Sequence, residues 1–127
     1  MKSRKLMLFS LALVSALLLV ACGGGAPTPP AAPKGDAVAG KTKFEGTCSS
    51  CHGLDAKGLP SLGKDLTTSA FAKGLSDKDL VAFVIKGRPS SDPANTTGVD
   101  MPARGGNPAL TENDLYDIVA YIRTLEK

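Results

Sequence analysis

The chain has one histidine, His52, and three cysteines, Cys22, Cys48 and Cys51. A structural zinc site takes four Cys or His ligands, and a Cys48/Cys51 pair has only Cys22 and His52 to add, which argues against zinc. No βαβ pattern surrounds the pair, so a thioredoxin-like dithiol site lacks its frame. Asp, Glu and Ser residues show no spacing that suggests acid, base or nucleophile chemistry. The longest apolar run, Leu6 to Val20, has 15 residues and is short for a membrane span. The surplus of base is also superficial. Of 15 Lys and Arg against 12 Asp and Glu, three stand at Lys2, Arg4 and Lys5, and without them the chain carries twelve of each. Nucleic-acid binding loses its only support.

Those three basic residues, the apolar run and Leu19-Val20-Ala21-Cys22 read as an export signal covering residues 1–21. Small residues ahead of a cysteine resemble the bacterial lipoprotein signal, in which Cys22 is diacylated and becomes the mature N-terminus. A signal peptide cut near Ala21, or an uncleaved anchor, would export the domain equally. Residues 22–35 then form a lipidated N-terminus and a Gly/Pro-rich tether, whose GGGAPTPPAAPKG stretch has no apolar period. At roughly 3 Å per residue it reaches about 40 Å. Residues 36–127 remain for one small domain with a thin core.

Near the start of that domain stands Cys48-Ser49-Ser50-Cys51-His52. C-x-x-C-H is the spacing of covalent haem attachment. Two thiolates one helical turn apart reach the vinyl groups of one porphyrin, and the adjacent imidazole supplies the proximal iron ligand. With Cys22 lipidated and the other two bonded to haem, no thiol is left for a disulfide, and the cofactor takes over that stabilising role.

Asp36 is a predicted N-cap for a helix from Ala37 to about Thr47, with Gly40 and Phe44 on one face. Gly53 to Ala72 reads as mostly loop, broken by Gly58, Pro60 and Gly63. Ser76-Asp77-Lys78-Asp79 starts a second helix that Gly87 and Pro89 stop. Thr111-Glu112-Asn113-Asp114 starts the last, where Leu115, Ile118, Val119, Ile122 and Leu125 fall at helical spacing.

Between these two helices, Pro89 to Ala109 is longer than most structureless connections, which marks it as functional or disordered. It contains Met101, the only methionine after the signal. A thioether opposite an imidazole leaves no open iron site and favours Fe(II), the ligand pair of an electron carrier. Pro102 biases Met101 to an extended backbone. A packed or exposed Met101 with five-coordinate iron is the alternative.

From Asp36 to Lys127 the chain resembles the class I cytochromes c in the order of its parts: a helix with Gly40 and Phe44, Cys48 to His52, a middle helix, the Met101 loop and a last helix bearing Tyr121. The resemblance implies an all-α fold of three to five short helices around one covalent haem c. It also implies that the first and last helices cross, with Gly40 and Phe44 meeting Tyr121. Family members commonly carry G-P-x-L, whose backbone carbonyl accepts the proximal imidazole N–H. Here Gly63-Lys64-Asp65-Leu66 stands there, so Lys64 replaces the proline and the expected turn is less rigid. Leu66 is implied to pack on the haem. Lys86-Gly87-Arg88-Pro89 also resembles a family segment, which makes Arg88 a candidate propionate partner, its alternative being a solvated arginine at a helix C-terminus.

The resulting expectation is a monohaem electron carrier with His52 and Met101 as axial ligands. It is exported and lipid-anchored through Cys22 on the extracytoplasmic side of a membrane, and it serves donor and acceptor proteins of an electron-transport chain. A fixed haem-relay subunit of a larger quinol-oxidising or oxidase complex, an open-iron sensor or enzyme, and a dithiol redox protein are its rivals.

Overall fold

A computed structural model describes residues 33–127. The export signal, Cys22 and most of the tether lie outside the described residues. Among the described residues five α-helices stand in the order α1 (Ala37–Thr47), α2 (Ser49–His52), α3 (Ala70–Gly74), α4 (Asp77–Lys86) and α5 (Glu112–Leu125). A 3₁₀ turn, Ala103–Gly106, lies between the last two. The fold is all-α, as the resemblance to class I cytochromes c implies. Among the described residues there is no strand, only an isolated antiparallel pair between Arg88 and Met101, and no helix is long and apolar enough to cross a membrane.

Each long helix begins where a side chain satisfies its free N–H groups. Asp36 Oδ1 accepts from Val38 N at 2.8 Å and Ala39 N at 3.3 Å. Ser76 Oγ accepts from Asp79 N. Thr111 and Asp114 form a reciprocal capping box. Two short elements depart from the expected loops. Ser69 caps α3, accepting from Ala72 N at 3.2 Å, and five residues are too few to display a helical period. The 3₁₀ turn depends on positive φ at Arg104, Gly105 and Gly106 rather than on apolar spacing.

The core joins α5 to α1 and α4. Leu115, Ile118, Val119 and Ile122 are buried, as is Tyr116 beside them, and they meet Phe44, Leu80, Val81 and Val84. Phe44 and Tyr121 stack edge to face with centroids 5.5 Å apart. Gly40 meets the backbone of α5: a Cβ there would stand 1.9 Å from the Asp117 carbonyl oxygen. Gly35 makes the same approach to Tyr116. The helices therefore touch backbone to backbone, which any side chain at position 40 would prevent.

Charge fastens this contact. Lys43 Nζ lies 2.7 Å from Asp114 Oδ1 and 2.5 Å from Asp117 Oδ2, and Asp117 Oδ1 accepts from Asp36 N at 2.8 Å. At the other end of α5, Arg123 donates to Asp77, Glu126 and the carbonyls of Ala72 and Leu75, holding the α3–α4 corner.

The Lys43 ammonium and the Thr111 donors hold the Asp114 carboxyl well below the usual 3.8. Asp36 N–H and then Lys43 lower Asp117, while Asp114 and then Asp117 raise Lys43 above 10.5. Depressed carboxyls stabilise the fold above their unfolded values and lose that contribution as pH falls through the folded ones. Lys43→Met should therefore lower the denaturation midpoint of the holoprotein at pH 7. The gap from wild type should shrink below about pH 4 and again above Lys43's ordinary value of 10.5. Denaturant unfolding across pH reads this, and a gap independent of pH would contradict it.

Candidate haem site

The motif occupies a single turn that continues α1. Cys51 N and His52 N both donate to Cys48 O, at 3.2 and 3.0 Å, so Cys48 and Cys51 share one helical face. The two intervening serines bond back to the last turn of α1, Ser49 Oγ to Glu45 O at 2.6 Å and Ser50 Oγ to Thr47 O at 3.0 Å. The direction of α1 is thereby passed on to the motif.

The next loop folds back beneath it. Gly58 N donates to His52 O at 2.7 Å, Leu59 N to Cys51 O at 3.0 Å, and Leu66 N to Ala56 O at 2.8 Å. A Cβ on Gly63 would lie 2.2 Å from Cys51 O, so glycine is what lets the two backbones touch. This packing brings Lys64 O to 2.8 Å from His52 Nδ1. With the imidazole neutral, Nδ1–H donates to that carbonyl and Nε2 keeps its lone pair for a metal. Glycine contacts and backbone bonds thus supply the imidazole's partner without the proline.

Cys48, Cys51 and His52 line one wall of a cleft of about 560 Å³. Leu66, Phe71, Phe83, Arg88 and Met101 line it too, with Ile118 and Ile122 of α5. Met101 is presented by the pair with Arg88, N to O at 2.8 Å in both directions. Gly87, at φ 73°, makes room for it, since a Cβ there would come within 2.3 Å of Met101 O. The six sequence-predicted residues, Cys48, Cys51, His52, Leu66, Arg88 and Met101, all border this one cavity. Cys22 lies outside the described residues.

Arg88 is held in an unforeseen way. Its guanidinium lies 4.6 Å from the centroid of Phe71 and 4.8 Å from that of Phe83, and the rings meet edge to face at 4.9 Å. Asp92 Oδ2 is 3.4 Å from Nε, yet Nε is buried without a hydrogen bond. A buried N–H of a cation left unpaired is costly. It suits a cleft that receives an anionic group. The signal for the two phenylalanines was weak, because Phe71 falls in a stretch read as mostly loop and Phe83 reads simply as part of a helix's apolar face.

Neither Cys48 nor Cys51 is in a disulfide. Burial first, then the nearby Cys51, pushes the Cys48 thiol up to about 11. A dithiol redox site needs a lowered nucleophile, which burial does not give Cys48. Two thiols on one turn, an imidazole with a free Nε2, a mainly apolar cleft and an orphaned guanidinium N–H together fit haem c.

The sequence model described as Cytochrome c matches residues 37–126. The chain belongs to the cytochrome c family. It is 39% identical over 88 residues to cytochrome c-555 of Chlorobaculum thiosulfatiphilum, covering 68% of this chain and 93% of that one. With cytochrome c-555 of Chlorobaculum tepidum it shares 36% over 114 residues, 89% of this chain and 91% of the relative. It also matches the cbb3-type cytochrome c oxidase subunit CcoP of Rhodobacter capsulatus at 32% over 90 residues, 70% of this chain but 29% of the subunit. The protein is accordingly a class I cytochrome c with covalent haem c, and it carries electrons.

Proposed function

We propose that the protein is a membrane-tethered, single-electron carrier. In this reading Cys48 and Cys51 hold the haem by thioethers, and His52 Nε2 and Met101 Sδ are the axial ligands. Leu66 packs on the ring and Arg88 neutralises a propionate. Cys22 carries the lipid that keeps the exported domain on the extracytoplasmic side of a membrane, within reach of donor and acceptor proteins. The observation that carries the reading is one cleft bordered by both His52, with Nδ1 already committed, and Met101.

When bound, the haem iron supplies a one-electron couple whose potential follows its axial ligands and surroundings. The chain's own residues account for the rest. Lys64 O fixes the orientation of the imidazole and raises its basicity. The Arg88–Met101 pair holds the thioether's backbone close to the end of α4. Apolar lining from Phe44, Leu80, Val84, Ile118 and Ile122 keeps water from one side of the cleft. Such a shell lets an electron pass with little rearrangement around it.

The match to the oxidase subunit supports a second reading, a fixed haem relay within a larger complex. Coverage of both cytochromes c-555 over more than nine tenths of their length favours the independent carrier.

Met101→Ala should abolish the weak sulfur-to-iron band in the near infrared, open the iron to added ligands and lower the reduction potential. An unchanged spectrum and potential would remove Met101 from the iron. Intact mass of the mature chain from native membranes should show a diacylated N-terminal Cys22, and Cys22→Ser should release the domain or block its processing. An unmodified Cys22 in membrane preparations would end the tether proposal.

A further inference from the structure

We infer that Asn95 is the positioning residue that keeps the Met101 thioether on the haem iron, an inference that rests on the axial assignment of Met101. The segment from Pro89 to Asp100 leaves the end of α4 and returns to Met101, its two legs joined by the single Arg88–Met101 pair. Beyond that pair no backbone–backbone hydrogen bond joins the two legs. Something else must hold the legs together.

The Asn95 amide does so. Its Nδ2 donates to Pro89 O at 3.2 Å on the outgoing leg and to Val99 O at 2.8 Å on the returning leg. Its Oδ1 accepts from Thr97 N at 3.1 Å, Thr97 Oγ1 at 3.2 Å and Gly98 N at 3.0 Å. Both donors are used, and the acceptor is filled from the tip of the loop. One side chain thus joins the two legs and the tip, and its bond to the returning leg falls at Val99, two residues before Met101. Asp100 Oδ1 adds one further tie, accepting from Ser90 N. Asn95 also borders the cleft together with Thr97, Val99 and Met101, so slack in the loop is slack in the wall that bears the thioether.

A thioether held by such a loop exchanges between bound and withdrawn positions, and an added ligand captures the withdrawn fraction. Apparent affinity for that ligand rises in proportion to the fraction. The test is titration of the ferric holoprotein with imidazole. Asn95→Ala should tighten imidazole binding by about tenfold, equivalent to about 1.4 kcal/mol, and weaken the near-infrared sulfur-to-iron band. Helix content and covalent haem should stay as in wild type. Asn95→Asp keeps an acceptor for the tip but loses both donors to the legs, so it should resemble the alanine variant, and it carries the comparison if that variant does not mature with haem. Lys43→Met, which weakens the distant α1–α5 contact, should leave imidazole affinity unchanged.

Affinity within twofold of wild type in Asn95→Ala, wild-type behaviour of Asn95→Asp, or an equal rise in Lys43→Met would each overturn the inference. Met101→Ala separates this failure from that of the axial assignment. If it binds imidazole no more tightly than wild type, Met101 is not the ligand. If it binds far more tightly while Asn95→Ala does not, only the role of Asn95 falls.

Discussion

Everything in this molecule is referred to the place where Gly40 lies against the carbonyl of Asp117, so close that a methyl group has no room. Backbone contact between α1 and α5 fixes two helices that each carry part of the cleft. α1 runs directly into the turn bearing Cys48, Cys51 and His52, while α5 contributes Ile118 and Ile122 to the same cavity. Phe44 and Tyr121 fill the space beside the contact, and Lys43 clamps it with two carboxylates. In a domain of this size few apolar side chains are available, so close approach replaces bulk.

The two sides of the cleft are built by different means. On the imidazole side, short backbone bonds and the glycines at 58 and 63 fold a loop against the motif until a carbonyl meets Nδ1. The thioether side hangs on one antiparallel pair beside Gly87 and on side-chain bonds within a long polar loop. Three backbone bonds with their glycine contacts, and the carbonyl that meets the imidazole, make the first side stiff. A single pair and an amide leave the second more open to adjustment, and there the potential and the ligand set are most easily altered by substitution.

The helices were legible in the sequence because each signal is local: Asp36, Ser76 and the Thr111–Asp114 box are caps, and the apolar stripe of α5 needs only its own residues. Gly40 was legible as a point of close approach, although the backbone carbonyl it lies against, that of Asp117, was not. C-x-x-C-H was legible because three side chains within five residues do the chemistry. Interactions that depend on distant backbone left no such local signal. The carbonyl of Lys64 leaves no trace in the identity of residue 64 and was expected only through the resemblance, and the Arg88–Met101 pair goes with the positive φ of Gly87 rather than with a strand pattern. The Phe71 and Phe83 rings around Arg88 come from two helices, one of them too short to be recognised.

The central claim is that this chain holds its haem by covalent bonds from Cys48 and Cys51. It is tested most directly by the intact mass of the purified holoprotein after full denaturation and extraction with acidified organic solvent. A chain mass raised by one haem, lost when both cysteines are replaced by alanine, is the predicted result. Haem that passes into the solvent, leaving the wild-type chain at its bare polypeptide mass, would contradict it.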